Sequence, residues 1–165
     1  MRITFPRQAG DERLCVADFV RSRAGAVRDN MALFVVSCGR GVREKSEAMK
    51  EAGEYLDSHL LQALALELAE ATAEFLHKRI RTSWGIVDAP SLSLKQLFNA
   101  EYHGIRVSFG YPACPELSDQ QKLFRLLEPE AIGVQLTDGD MMDPEASVSA
   151  LVFHHPQGRY FDVLR

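Results

Sequence analysis

The chain has 165 residues and a formal net charge of −4 at pH 7, and its length is typical of a single domain. Hydrophobic residues make up 46% and charged residues 25%, a globular composition that excludes a largely disordered chain. The acidic balance argues against a nucleic-acid-binding protein. No continuous apolar run is long enough to cross a bilayer, so we expect no membrane span.

The cysteines point to a reducing compartment. Cys15, Cys38 and Cys114 are odd in number and far apart, and they form no Cys-x-x-Cys pair. The beginning of the sequence also lacks the apolar stretch of a signal peptide. We therefore expect reduced thiols in a cytoplasmic protein.

The first half of the sequence predicts two strands and a long helical region. Thr4–Gln8 is interpreted as a short edge strand broken by proline, and Met31–Cys38 as a buried strand rich in β-branched residues. From Glu44 to Arg81 the composition is helical, and we expect a break near Gly53. The part after the break is apolar around most of its circumference, which predicts a central and largely covered helix.

The second half alternates short elements with turns. Ser91 or Ser93 can cap a short helix through Ala100, and the two glycines and two prolines of residues 102–115 predict an ordered, irregular loop. A further helix is expected up to Glu128, before a proline.

Strands dominate the C-terminal part. Gly133–Thr137 predicts a short strand, and Ser147–His155 alternates, with Val148, Ala150 and Val152 on one side. After the turn at residues 156–158, Arg159–Leu164 is expected to return as a second strand of a hairpin. The pattern predicts the α+β class, with strand-rich ends around a long helix.

One loop has the features of a binding site. Arg106 leads into Gly110-Tyr111-Pro112-Ala113-Cys114-Pro115, and an arginine beside a rigid turn can hold a carboxylate through two hydrogen bonds. Gly110 would let a ligand approach the backbone closely. A purely structural turn explains the same residues. Cys114 resembles a nucleophile only in position, since no partner base is identifiable, and we interpret it as a packed thiol.

A metal site is the second chemical possibility. Glu74 and His77 have the spacing of one carboxylate–histidine element of a di-iron helical bundle. No second copy of that element exists in the sequence. The alternative is a polar helical stripe made of Glu67, Glu70, Glu74, His77 and Arg81, and we predict no metal.

Several segments resemble one known family in the same order along the chain. Gly104-Ile105-Arg106 followed by residues 110–115 resembles the S-adenosylmethionine-binding signature of the reactivation domain of cobalamin-dependent methionine synthase. The segments Cys15–Val20, Leu68–His77 and Trp84-Gly85 also resemble that domain. Its closing hairpin is similar to Ala146–Ser149 with His155-Pro156 and Tyr160, so the resemblance covers residues 1–165 as a single activation-type domain.

The resemblance implies both a fold and a function. It implies a twisted antiparallel β-sheet with a long central helix and flanking shorter helices. It also implies a module that binds S-adenosylmethionine and helps to remethylate oxidised cobalamin carried by a neighbouring domain of methionine synthase or by a related corrinoid methyltransferase. A flavodoxin-type protein would supply the electron. The module would have no catalytic residue of its own, and no nucleic-acid or membrane partner is implied.

The implied ligand contacts fall at seven positions. Arg106 matches the arginine that binds the ligand's carboxylate, while Glu70 and Glu101 match acids at the border of the site. The remaining positions form the loop and the aromatic wall around the ligand: Gly110, Tyr111, Ala113 and Tyr160. An aromatic ring beside a sulfonium cation is favourable because of cation–π attraction.

The sequence also departs from the family. The family domain is about twice as long, and the part that supplies an aspartate to the ligand's amino group has no counterpart here, nor does a C-terminal helical extension. Phe109 stands where proline is usual, and Leu117 where histidine is usual. These departures motivate an alternative, a non-catalytic docking module for a corrinoid protein that has lost S-adenosylmethionine binding.

Overall fold

The computed structural model describes residues 2–163, which form an α+β domain with a small antiparallel sheet and a long helix. Short 3-10 helices cover Val16–Phe19, Leu117–Asp119 and Pro129–Ile132. The strands and α-helices, in chain order, are β1 (Ala32–Ser37), α1 (Val42–Glu51), α2 (Tyr55–Ser83), α3 (Leu94–Phe98), β2 (Ile105–Val107), α4 (Gln120–Leu127), β3 (Gln135–Leu136), β4 (Met142–Asp143) and β5 (Ser147–Phe153). The expected α+β class is confirmed.

Strand β5 is the centre of the main sheet, whose strand order is β1-β5-β2 with both pairings antiparallel. All seven β5 residues are buried, because each face of the strand packs on its own apolar cluster. Val148, Ala150 and Val152 face helix α2, whereas Leu151 and Phe153 belong to the second cluster on the opposite face. The alternation predicted from the sequence is therefore confirmed.

Helices α1 and α2 are separated at the position that the sequence indicated. Gly53 lies between them with φ +81°, a left-handed conformation that costs glycine little. The two helices then pack side by side, and the hydroxyls of Ser46 and Ser58 approach within 2.7 Å at their contact. The break folds what would be one long rod back into the domain.

The prediction that α2 is largely covered was wrong. Its buried apolar face consists of small residues four apart, Ala65, Ala69 and Ala73, which let the helix lie close to the sheet. Its large apolar side chains are mostly exposed on the other side, namely Leu56, Leu60, Leu64, Leu68 and Phe75. When a helix is apolar around its whole circumference, the sequence does not indicate which face packs on the sheet. Here the face with the small alanine side chains does so.

Two predicted terminal strands do not form, and two short strands, β2 and β4, were missed, β2 within the predicted irregular loop of residues 102–115. Neither Thr4–Gln8 nor residues 159–163 form a strand, while Leu164 lies outside the described residues. The two edges of β5 are already occupied by β1 and β2, so no edge is left for a returning strand. The segment instead packs through Phe161 and Val163, both of which are buried in the core.

Helix α3 and the loop after it lead into β2. Ser93 caps α3: its hydroxyl accepts a hydrogen bond from the Gln96 backbone, and the Gln96 side chain accepts one from the Ser93 backbone. This capping box fixes the start of the helix and selects Ser93 from the two serines that the sequence offered as caps. Among residues 2–163, no helix is both long enough and apolar enough to span a membrane.

Candidate functional site

A groove of about 1050 Å³ lies between helix α2, the α3–β2 segment and the C-terminal segment. Its walls combine two arginines, Arg106 and Arg159, with several acids and several aromatic rings. The lining residues that matter below are Glu67, Glu70, Glu74, Tyr102, Arg106, Tyr111 and Tyr160. An adjoining pocket of about 530 Å³ shares Glu67, Glu70 and Tyr111 with this groove and is otherwise more apolar.

Arg106 lies at the middle of the edge strand β2, where it pairs with Val152 of β5. Its side chain is 20% exposed and faces two carboxylates that are one turn apart on α2. The Nη2 atom is 3.3 Å from Oε2 of Glu70 and 3.8 Å from Oε2 of Glu74. Arg106 is thus a fixed cation in the groove wall, held by backbone pairing and partly exposed to the groove.

Beside Arg106 lies a polar cluster, buried at its Arg81 end, that sequence reasoning did not identify. The Tyr102 hydroxyl donates a hydrogen bond to Oε2 of Glu74 over 3.1 Å. Arg81 is 1% exposed, and its guanidinium lies over the Tyr102 ring, 3.7 Å from the ring centroid. Asp88 pairs with Arg81 from the other side. The sequence offered one signal, the four-residue spacing of His77 and Arg81, but no signal that this side of α2 is buried.

His77 and Arg81 are therefore not part of a solvated polar stripe, and that alternative was wrong for these two residues. Both side chains are fully buried, and neither ring nitrogen of His77 has a hydrogen-bond partner among the described residues. Burial, with the charges of Arg81 and Arg106, lowers the pKa of His77 to about 3. Within residues 2–163, no cluster of three histidine, cysteine or acidic side chains could hold a metal ion.

The Gly110–Pro115 loop forms a tight turn at the end of the groove. The Gly110 backbone N–H donates to the Cys114 carbonyl at 2.9 Å, and the Cys114 N–H donates to the Tyr111 carbonyl at 2.8 Å. Ala113 and Cys114 are buried, whereas Tyr111 is 55% exposed. Gly110 has φ +81°, and a Cβ at this position would lie 3.1 Å from Cδ1 of Leu117. The turn therefore presents the Tyr111 ring outward from a rigid base.

Tyr160 stands beside this turn. Burial raises the pKa of its hydroxyl, an effect partly opposed by a hydrogen bond from the Ala113 backbone N–H. The Val163 N–H donates to the Pro112 carbonyl at 3.2 Å and ties the C-terminal segment to the same turn. These contacts hold the Tyr160 ring, which is 52% exposed, at the groove wall.

Most of the residues predicted for the site are brought together. Arg106, Glu70, Tyr111 and Tyr160 line the groove, while Gly110 lines the adjoining pocket. Ala113 lies buried in the turn. Glu101 is placed differently, since it follows the lining residue Ala100 but accepts a hydrogen bond from Asn99 at 3.2 Å and is absent from both sets of lining residues.

Together, these features define a class of protein: an α+β domain whose long helix and edge strand form a groove lined by arginine, carboxylate and aromatic side chains. The arginine suits a carboxylate, and the acids and aromatic rings suit a cation. The chain belongs to the family described as the vitamin B12-dependent methionine synthase activation domain, whose model matches residues 1–165.

Similar proteins agree with this assignment. The methionine synthases of Mycobacterium tuberculosis and Mycobacterium leprae are each 36% identical to the chain over 172 aligned residues, which cover 98% of the chain and 14% of either relative. A crystal structure of the MetH reactivation domain bound to AdoHcy superposes with a TM-score of 0.87 at 36% identity. That match covers 96% of this chain and 51% of the solved one. The chain thus spans about half of the solved domain and a small part of the curated relatives.

Proposed function

We propose that this chain binds S-adenosylmethionine in the groove and presents its methyl group for the reductive reactivation of cobalamin in methionine synthase or a related corrinoid methyltransferase. The observation that carries the proposal is the position of Arg106, which lines the groove together with Glu70 and the two exposed tyrosines. The solved relative binds AdoHcy, which differs from S-adenosylmethionine only by the transferred methyl and the charge on sulfur.

The residues of the groove suit the separate parts of this ligand. Arg106 would bind the carboxylate of the methionine moiety, because a guanidinium offers two parallel donors. Tyr160 would lie near the sulfonium, where an aromatic face attracts a cation. Tyr111, Gly110 and the Ala113 backbone would form the surface that the rest of the ligand lies against. Glu70 and Glu101 are proposed as acids at the border of the site.

The chemistry that we propose depends on positioning. A partner's cobalamin, once reduced by one electron from cob(II)alamin to cob(I)alamin, would supply the nucleophile for the sulfonium methyl, and AdoHcy would be the leaving group. The groove would contribute orientation of the methyl donor, a large effect when two reactants must meet in one geometry. None of the residues placed in the groove is required to move a proton.

The partners follow from the proposed reaction. Because the chain spans only part of its relatives, we propose that cobalamin is held by a cobalamin-binding domain of methionine synthase or by a separate corrinoid protein. A flavodoxin-type protein is proposed as the reductant. We also propose that residues 1–165 act as one unit. A cytoplasmic location is proposed as well, and the three free cysteines support it.

Calorimetric titration with S-adenosylmethionine tests the proposal. We expect saturable binding by the wild-type chain and at least a tenfold weaker affinity in Arg106→Ala, because a hydrogen-bonded charge pair is worth about 1.5–3 kcal/mol. Arg43→Ala is the matched control, since Arg43 forms an exposed ion pair with Asp143. A loss below tenfold in Arg106→Ala would contradict the role of Arg106.

A pull-down separates this function from simple docking. The chain is mixed with a cobalamin-binding domain in the presence and in the absence of S-adenosylmethionine. Capture that depends on the ligand supports the proposal. If the cobalamin-binding domain captures the chain equally well without S-adenosylmethionine, and calorimetry detects no binding of that ligand, the chain is a docking module instead.

A further inference from the structure

Tyr102 lies between the buried pair of Arg81 and Asp88 and the carboxylates that face Arg106. Its hydroxyl bonds Glu74 at 3.1 Å, and its ring lies under the guanidinium of Arg81. We propose that Tyr102 is a positioning residue: it holds the Glu74 carboxylate short of Arg106 and so keeps Arg106 available for the carboxylate of a ligand. This inference rests on the proposed function, but it concerns residues to which that function assigns no ligand contact.

The distances around Arg106 show that Glu74 is close without being bonded. Oε2 of Glu74 is 3.8 Å from Nη2 of Arg106, which is beyond hydrogen-bond distance. The same oxygen accepts a hydrogen bond from the Tyr102 hydroxyl. Glu70 is nearer, at 3.3 Å, but its side chain is 56% exposed. An exposed ion pair contributes little stability and is readily exchanged for another anion. Glu74, at 39% exposure, would be the stronger competitor if it reached Arg106.

The ring of Tyr102 is itself held by contacts with Arg81 and His77. The guanidinium of Arg81 is 3.7 Å from the ring centroid, and the His77 ring meets it edge-on at 5.3 Å. Arg81 cannot shift easily, because Asp88 binds it at 2.8 Å in a buried setting. Such stacking of a desolvated cation on an aromatic ring is among the stronger cation–π contacts.

The backbone on the C-terminal side of Tyr102 is also fixed. Gly104 has φ +94°, and a Cβ there would lie 2.9 Å from the carbonyl oxygen of Phe153. The His103 ring meets the His154 carbonyl at 2.7 Å on the same side. The short segment that joins Tyr102 to β2 therefore holds it at a defined distance from Arg106. The hydroxyl is also a steady donor, since burial and the charge of Glu74 raise its pKa to about 12.

Removing only the Tyr102 hydroxyl, as in Tyr102→Phe, should free the Glu74 carboxylate from its hydrogen bond to Tyr102. Phenylalanine keeps the ring under Arg81 and against His77, so the packing of the cluster is preserved. Two cations then lie near Glu74: Nη2 of Arg106 is 3.8 Å from its Oε2, and Nη1 of Arg81 is 4.0 Å from its Oε1. Arg81 is already paired with Asp88, so we expect Glu74 to move to Arg106, because a charge-assisted pair with good geometry is stronger than the contact it replaces. Glu74 would then occupy the Arg106 guanidinium, and a ligand carboxylate would have to displace Glu74.

A double-mutant cycle tests this arrangement. We expect Tyr102→Phe to weaken S-adenosylmethionine binding about tenfold with a melting temperature near that of the wild type, as expected for one charge-assisted hydrogen bond. Adding Glu74→Gln should restore most of the affinity, because an amide competes weakly for a guanidinium. A merely structural role of Tyr102 would not be rescued by a change at Glu74. Tyr55→Phe, at an exposed tyrosine near the start of α2, is the matched control.

A second readout needs no ligand. Side-chain NMR of Arg106 reports rotation about its Cζ–Nε bond, which slows when a carboxylate holds the guanidinium at two points. We expect slower rotation in Tyr102→Phe than in the wild type, and a return to fast rotation in the double variant. Unchanged rotation, or a weakened Tyr102→Phe that Glu74→Gln fails to rescue, would overturn the inference. A wild-type chain that binds no ligand would instead contradict the proposed function, and the NMR comparison would still decide the role of Tyr102.

Discussion

Arg81 of helix α2 and Asp88 of the following loop form an ion pair that is closed off from solvent. Nη2 of Arg81 lies 2.9 Å from Oδ1 and 2.8 Å from Oδ2 of Asp88, and the side chains are 1% and 7% exposed. Two other nitrogens of Arg81, Nε and Nη1, have no hydrogen-bond partner among the described residues. Asp88 is therefore the main neutralising group for a charge at the base of the groove.

The first prediction concerns this pair. Asp88→Asn should lower the free energy of unfolding by about 3–5 kcal/mol, because it removes the carboxylate that is hydrogen-bonded to a buried guanidinium and leaves only Glu74, which is 4.0 Å away and 39% exposed. Asp18→Asn provides the control, since Asp18 pairs with Arg7 at the surface and such pairs contribute less than about 1 kcal/mol. Urea unfolding of both variants measures the difference. Equal costs would show that Arg81 does not depend on Asp88.

The second prediction is a pH dependence of stability that originates at His77. Its folded-state pKa is lowered to about 3 by burial, so the unfolded chain binds a proton more readily. Stability is therefore unaffected above the unfolded pKa of about 6.5 and is lost as the pH falls toward the folded value, by about 2 kcal/mol between about pH 7 and pH 5. His77→Phe should remove this component. The free energy of unfolding of the wild type and of His77→Phe is measured by denaturant unfolding at each pH. An equal loss in both proteins as the pH falls would contradict the prediction.

The third prediction separates conformational strain from steric contact at the site loop. Gly110 and Gly53 share φ +81°, but an added Cβ meets Leu117 only at Gly110 and nothing at Gly53. Gly53→Ala should cost about 1–2 kcal/mol from the left-handed backbone alone. Gly110→Ala should cost more and should also weaken ligand binding. Thermal unfolding of both variants, with calorimetry on Gly110→Ala, makes the comparison, and a smaller cost at Gly110 would refute it.

The fourth prediction is that Cys114 is unreactive in the folded protein. It is buried, and burial together with the charges of Asp119 and Glu116 raises its pKa to about 12, which leaves almost no thiolate at neutral pH. Cys38 is only partly buried. Alkylation followed by peptide mass spectrometry should label Cys38 well before Cys114. Fast labelling of Cys114 would revive the nucleophile hypothesis.

Much of the fold was predictable because residue composition and hydrophobic alternation indicate the same strands and helices that tertiary packing stabilises. The strand at residues 32–37 and the helix break at Gly53 follow from composition and from one glycine. The alternation of β5 was also visible, since its two faces pack on different clusters. The missing terminal strands were not predictable, because pairing depends on a free sheet edge and β5 has none left.

The site was predictable only in part. The turn at residues 110–115 and Arg106 carry a distinctive local pattern, and the structure places both at the groove. The cluster of Tyr102, Glu74 and Arg81 depends on which side of α2 faces inward. That choice was hidden because the exposed leucines looked like the core face, while small alanines in fact meet the sheet.

A crystal structure of the chain with S-adenosylmethionine tests the central claim most directly. The account predicts the ligand carboxylate within hydrogen-bond distance of Arg106, with the sulfonium near Tyr160 and the remainder of the ligand along Tyr111. A ligand that lies in the adjoining pocket without touching Arg106 would contradict it, as would crystals that take up none at saturating concentration.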